Sequence, residues 1–471
     1  MNRITLRGCT SEPLLSYLSS LAVLRLVSQQ KDPDARGWWE NGIFHLDTKL
    51  DEDELVQFFM TEYAPTPIVA PWNGGSGFSE GDNTEGIDAI RSSASERFAL
   101  YRRTLDRIFS FPEMPPVGLS IGNILIILMQ EADKEKGRSK EDLIEAANEV
   151  NSKLKPLETM LAPMNPSDLT IKQLVEQSKI SKNSAPTEKE RATAIKGIIN
   201  PAKKASTLVK KLKRGSDKEK IIQACRDRLD ERVIEWIDAA AVIGPEGDAE
   251  YPPILGSGGN EGRLDYTNTF MSNLAELLLS PDNEETSRNL LRNALFAEAT
   301  NGLSASKVGQ YDPGRAGGYN QSPGIEKKDF PSNPWKFVLA MEGSLVWASG
   351  VARRHSQERG FLRCPFTVRA CQVGYSSSSE KDGQKARAEI WAPLWKLPVS
   401  YPELRSFLSE GRAEVGKKRA TNGIKFAEAV ASLGIDRGIS EFRALQPPQT
   451  SRRQLCGPAH GALLSLCPER E

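Results

Sequence analysis

Chemistry could gather at Tyr251 to Asn268, where Gly256, Gly258, Gly259 and Gly262 fall within seven residues. Around them stand Asn260, Glu261, Arg263, Asp265, Tyr266 and Asn268. Glycine lets the backbone take positive φ and come close to a ligand. Thr267 or Asn268 is placed to cap a following helix carrying Phe270, Leu274, Leu277 and Leu278. That would aim the helix's free N-terminal amides at the loop, where they suit an anion. The same residues also compose an ordinary turn-rich connector with a cap.

A second stretch, Pro65 to Phe78, has the same make-up: prolines, a short apolar run, then Trp72-Asn73-Gly74-Gly75-Ser76-Gly77-Phe78. An Asn such as Asn73 can pair with a base edge, and an apolar ring such as Phe78 can wedge a base step. The bland alternative makes Trp72 and Phe78 core anchors and the glycines a tight turn. A third loop sets Tyr311, Arg315 and Tyr319 among Gly314, Gly317, Gly318 and Gly324. Loops of this length in a compact protein are commonly functional or disordered.

Catalytic patterns are scarce. There is no P-loop signature, and Gly256-x-Gly258-x-x-x-Gly262 misses the dinucleotide fingerprint by one residue. Glu261 and Asp265 could share a metal as in a nuclease, but Arg263 between them favours an internal ion-pair network. Three histidines occur, His45, His355 and His460, and none sits beside a nucleophile. Cys456, His460 and Cys467 offer a loose zinc spacing in an otherwise unpatterned tail. No catalytic constellation and no cofactor are expected, which suits a binding subunit.

Lys plus Arg and Asp plus Glu both number 62, so overall charge says nothing of partners. The distribution is more telling. Residues 1–90 hold 6 basic and 14 acidic side chains, a net of −8; residues 171–220 hold 14 and 5, a net of +9; residues 351–425 hold 15 and 7, a net of +8. Such blocks suit a polyanion on one face and a protein neighbour on another. Lys210, Lys211, Lys213 and Arg214 lack interleaved aromatics, which favours phosphate contact over base stacking. The 6 cysteines are scattered, as in a reducing compartment. No secretory leader and no run of membrane-spanning length are seen, so a cytoplasmic location is expected.

The elements that must position these residues read as a short strand at Ile4–Leu6, a helix from Leu14 to about Gln29, and a hairpin turning at Asn41-Gly42. An acid-headed helix follows at Asp51–Phe59, then one from Ile87 to Phe109 with Arg91, Arg97, Arg102, Arg103 and Arg107 spread around it. Further helices are expected over 217–243, 268–280, 285–299, 335–351 and 412–433, the last starting in the basic run Arg412–Arg419. Strands are expected near Phe366–Val368, Gln372–Tyr375 and Glu389–Trp395. Ile121–Met129 is a buried strand or helix. Beyond Ser440 neither helical nor strand periodicity continues.

Several motifs occur together: Gly8-Cys9 with Pro13-Leu14-x-x-Tyr17-Leu18, Ala35-Arg36-Gly37-Trp38-Trp39, Pro65 through Phe78, and Gly262-Arg263-Leu264-Asp265-Tyr266-Thr267-Asn268. Over about Arg3 to Ser440 the chain resembles the large-subunit protein of the type I-G (formerly I-U) CRISPR surveillance complex, or Cascade. The resemblance implies a non-enzymatic subunit in antiviral defence. It would hold crRNA and target double-stranded DNA, help recognise the protospacer-adjacent motif, and work with other complex subunits and a helicase-nuclease. The family continues well past Ser440, so the tail reads as truncated or altered sequence. A nonfunctional fragment and a Glu261/Asp265 metal-dependent nuclease are the competing readings.

The expected fold is α+β, mainly α, with helical bundles, short antiparallel β elements and long Gly-rich loops. It divides into an N-terminal α+β domain (1–130), a Lys-rich helical insertion (131–216), a mainly helical domain (217–440) and an unpatterned tail (441–471). The expected nucleic-acid contacts are Trp72, Asn73, Gly74, Gly75, Gly77, Phe78, Gly258, Gly259, Asn260, Arg263, Asn268, Arg315 and Tyr319, with Lys210, Lys211, Lys213 and Arg214.

Overall fold

Leu14, Leu18, Leu21 and Leu24 do form a helix, α1 (Leu14–Gln30), and every residue from Leu14 to Ser28 is buried. A helix buried on all sides belongs in an interior, not on a surface. Asp32 lies just beyond it and accepts hydrogen bonds from Thr48 Oγ1 (2.7 Å) and the Lys49 amide (2.8 Å). Burial pushes this carboxyl up, but these bonds outweigh it and hold the pKa below the ordinary carboxylate value.

The structure, a computed structural model, describes residues 1–78, 82–114, 193, 196–197, 199, 217–243, 249–252, 254–255, 265–305, 311–312, 331–348, 350–352, 361–368, 389–409, 414–415, 418–419, 423–433, 438–444 and 463–465. Its fold is α+β and mainly helical, with short antiparallel sheets. Before the Lys-rich region come β1 (Asn2–Thr10), α1, β2 (Arg36–Glu40), β3 (Ile43–Thr48), α2 (Glu52–Gln57), α3 (Glu85–Ser92) and α4 (Ala99–Phe109). After it come α5 (Asp217–Arg228), α6 (Glu231–Ala240), β4 (Val242–Ile243), β5 (Ala249–Glu250), α7 (Asp265–Leu278), α8 (Glu284–Phe296), β6 (Ser304–Ala305), β7 (Pro331–Ser332) and α9 (Pro334–Ser344). The C-terminal part adds β8 (Gly350–Ala352), β9 (Phe361–Arg363), β10 (Thr367–Val368), β11 (Glu389–Trp395), β12 (Val399–Ser400) and α10 (Tyr401–Ser409). It ends with β13 (Glu414–Val415), β14 (Lys418–Arg419), α11 (Gly423–Leu433), β15 (Ile439–Ala444) and β16 (Leu463–Ser465).

The first sheet runs β1-β3-β2-β12 and the second β10-β11-β15-β16. The β2–β3 hairpin turns at Asn41 and Gly42, both at positive φ, as a two-residue turn of the right twist requires. A capping box at Asp51 and Glu54 starts α2. Against α1 lies α9, so close that a Cβ on Gly343 would strike the Leu18 carbonyl. Residues near the start of the chain and residues beyond 330 therefore share one core. Trp39 stacks on Tyr17 (5.4 Å) and meets Trp395 edge-on (6.2 Å). The Trp395 indole donates to the Gly37 carbonyl (2.8 Å). Met1–Gly77, Asn83–Ile108 and Ile222–Glu471 form one compact unit, and Phe78–Asp82 with Phe109–Ile221 another.

Several expectations change. The helix expected over 335–351 ends at Ser344, with Gly350–Ala352 in β8. The helix expected from 87 to 109 is interrupted between α3 and α4. There Ser92 Oγ back-bonds to the Asp88 carbonyl (2.8 Å) and Ser93 Oγ accepts from the Ser95 amide (3.1 Å), the usual competition of serine with the helix ladder. The 217–243 helix stops where Asp230 caps α6. Thr267 and Asn268 lie inside α7, which begins at Asp265, so neither is its cap. The basic run 412–419 supplies the paired strands β13 and β14 rather than a helix start; Gly416 disfavours a helix interior.

The start of the tail, 441–444, also departs from the expected loss of pattern. Strand β15 crosses Ser440 and sits between β11 and β16, and Phe442 is 1 % exposed. Its ring meets Phe366 (5.0 Å) and Phe426 (5.3 Å), and Arg443 pairs with Glu12 (2.8 Å). A buried Phe between half-buried Glu441 and Arg443 is a period too short to stand out in the sequence. The Ile121–Met129 run, the Gln372–Tyr375 strand and almost all of the 131–216 insertion lie outside the described residues.

Candidate nucleic-acid interface

The glycine loop after Pro65 is fixed at its entrance by a buried charge pair. Arg25 on α1 donates to Glu342 on α9 through Nη1 (2.6 Å) and to Thr66 Oγ1 through Nη2 (2.9 Å). The same carboxylate accepts from the Tyr63 hydroxyl (2.6 Å) and the Thr66 amide (2.9 Å). Burial opposes the Arg25 charge, but Glu342, helped by Tyr401 and Glu235, outweighs it and raises the guanidinium pKa. Burial, then the adjacent carboxylate, drives the Tyr63 phenol well above its ordinary value.

Next, Ile68, Val69 and Ala70 are fully buried. Their backbone is held from two helices: Tyr101 Oη donates to the Ile68 carbonyl (2.8 Å), and the Trp236 indole to the Val69 carbonyl (2.7 Å). The chain then turns, with the Asn73 amide donating to the Ala70 carbonyl (3.0 Å) and Ser76 Oγ to the Asn73 carbonyl (2.5 Å). Gly75 and Gly77 adopt positive φ, 86° and 93°, which residues with a Cβ resist.

Which atoms of this loop face outward differs from the expectation. Trp72, Asn73 and Phe78 are all buried, Asn73 to 6 % exposure. Phe78 packs against Phe109 (5.4 Å). They act as anchors, not as side chains held out to a base. The exposed residue is Gly74, with Gly75 half-exposed, and a Cβ on Gly74 would meet nothing within 4 Å. The loop thus presents backbone.

Asn268 joins the second motif to the first. From α7 its Nδ2 donates to the Gly75 carbonyl (3.3 Å) and the Asn83 carbonyl (2.9 Å). Its Oδ1 and the Trp72 Nε1 are buried and find no hydrogen-bond partner among the described residues. Buried unspent polar atoms are rare in proteins and call for a reason. The loop and its clamp retain one acceptor and one donor.

Of the other expected contacts, Gly258, Gly259, Asn260, Arg263, Arg315, Tyr319, Lys210, Lys211, Lys213 and Arg214 lie outside the described residues, as does Glu261. The arginines between 91 and 107 that the sequence spreads around one expected helix are engaged within the protein. Arg91 pairs with Asp106 (2.8 Å), Arg97 donates to the Met60 and Leu278 carbonyls (2.7 and 3.2 Å), and Arg102 to the Ser95 carbonyl (2.6 Å). Sequence reasoning missed Arg25, Glu342, Tyr63, Tyr101 and Trp236. The charged pair is separated by 317 positions; its one local signal is Arg25 breaking the apolar run Leu21–Val27. Among the described residues, no three His, Cys, Asp or Glu side chains gather as a metal site, and no helix is long and apolar enough to cross a membrane. No model of a known protein family matches the chain, and no curated protein matches it.

Proposed function

We propose that the chain is the non-enzymatic large subunit of a CRISPR RNA-guided surveillance complex of the type I-G class. In this reading it binds crRNA and target DNA in the cytoplasm and helps recognise the protospacer-adjacent motif. Other complex subunits and a helicase-nuclease would be its partners. The observation that carries the reading is the bond from Asn268 to Gly75. It unites two of the motifs on which the resemblance rests, at a glycine turn whose Gly74 is exposed. Open backbone at a glycine suits close approach to a nucleic-acid backbone or groove, while base pairing with the guide reads most of the target.

The experiment is coexpression with crRNA and the remaining subunits, followed by duplex-binding titrations of the purified assembly. The wild-type chain should copurify with crRNA. Gly74→Val has room for its side chain and no positive φ to violate, so it should leave the melting temperature unchanged. Target-duplex affinity should nevertheless fall by about tenfold, the size of one lost base-edge or backbone contact. Failure of the chain to join crRNA and subunits would overturn the reading. Unchanged affinity of the Gly74→Val complex would remove this loop from it.

A further inference from the structure

The two end strands of the first sheet are unlike. At one end β12 is two residues long and runs straight into α10. At the other, β1 is nine residues long, and Asn2 to Leu6 pair in unbroken register with Thr48 to Phe44 of β3. Beyond that pairing, no backbone group of Asn2–Gly8 bonds to any other described residue. Among the described residues, the outward amides and carbonyls of Asn2–Leu6 therefore have no partner, while at Gly8 the end of α8 packs against the strand. Proteins usually shorten, cover or bulge such an edge, because it templates a further strand. Here a register shift comes only after Leu6.

The side chains on this edge are patterned. Ile4 and Leu6 face the core. Asn2, Arg3 and Arg7 are exposed and Thr5 is half-buried. The Arg3 guanidinium lies over the Trp38 ring (4.8 Å), and its side chain is 64 % exposed. The acidic group opposing it is Asp47, at 3.7 Å on β3. Farther across the same face, Glu40 approaches His45 (3.8 Å). Arg7, beside the register shift, makes no ion pair with a described residue. The two arginines are four residues apart, roughly 13 Å along a strand.

We propose that the outer edge of β1 takes up an extended acidic segment of a partner protein as a fifth strand. Main-chain hydrogen bonds would supply the affinity, and two carboxylates four residues apart on the incoming strand would meet Arg3 and Arg7. The inference concerns a protein partner at a surface remote in sequence from the glycine loop, and it does not depend on the nucleic-acid reading.

The test uses the full chain and a fluorescent synthetic peptide of about ten residues, the length of a strand. It carries Glu at positions four apart among Thr and Val. Controls are the same peptide with Lys for Glu, and two forms N-methylated at alternate residues in either phase. The Glu peptide should bind, the Lys peptide about tenfold more weakly, and one methylated phase should lose binding while the other keeps it. Joint Arg3→Glu and Arg7→Glu replacement should reverse the charge preference. Because a Glu at position 3 would face Asp47, Arg7→Glu alone, at an exposed side chain, is the fold control. It should narrow the preference without changing the melting temperature. The proposal is overturned by no binding at millimolar peptide, by equal binding of Glu and Lys peptides, or by indifference to both methylation phases. It is likewise overturned if the reversal weakens a single-stranded oligonucleotide but not the Glu peptide, for then the arginines meet phosphate.

Discussion

Glu342, fully buried, holds three groups at once. It neutralises Arg25, accepts from Tyr63 and fixes the Thr66 amide where the glycine loop begins. Breaking a buried pair by removing one partner typically costs about 3–5 kcal/mol, because the other charge stays buried and uncompensated. We expect Glu342→Gln to lower unfolding free energy by roughly that amount in urea titrations. The double replacement Arg25→Leu with Glu342→Leu should recover much of the loss. A single-mutant effect below about 1 kcal/mol would show that the pair contributes no more than a surface contact. At this scale the sequence was partly legible. The glycines at 75 and 77 announced a turn, and it is there. Whether Asn73 and Phe78 point inward was not legible, because a turn's composition does not name what packs on it, as Phe109 does on Phe78.

Among the elements, α1, the β2–β3 hairpin and α2 could be read directly, since apolar period, Asn-Gly turn and capping box are all local signals. Helix breaks at Ser92–Ser95 and Asp230 were legible in retrospect from polar residues that bond their own backbone. Strand β15 was not, because three residues of alternation cannot announce a strand whose neighbours lie elsewhere in sequence. It carries the next prediction. Phe442→Ala should destabilise the protein by about 3–5 kcal/mol, as for other buried Phe truncations. Deletion of residues 442–471 should lower the melting temperature visibly, because it cuts β15 in mid-strand. A melting curve unchanged by the deletion would mean that β15 adds nothing to the second sheet. The outer strand β1 poses a different question at this scale, that of an unspent edge, and the peptide titration addresses it.

For the whole molecule, the α+β, mainly helical class followed from the pattern of elements, but the sharing of one core by distant segments did not. Periodicity along a chain says which face an element buries, not which partner covers it. Here the consequence concerns time. The partner that covers α1 is α9, and the bond between them joins residues 317 positions apart. A ribosome adds about 5–20 residues per second, so α1 leaves the tunnel roughly 15–60 s before α9 can reach it. For that interval a seventeen-residue helix, buried in the fold from Leu14 to Ser28, has none of its final cover from α9. Nascent chains arrested before residue 330 should therefore be cut within 14–30 by a protease and retained by a chaperone that binds apolar segments. Chains carried past residue 410 and clear of the ribosome should resist both. Equal protection at the two lengths would show that α1 finds its shelter without α9. Otherwise, the rate of synthesis sets how long α1 stays uncovered.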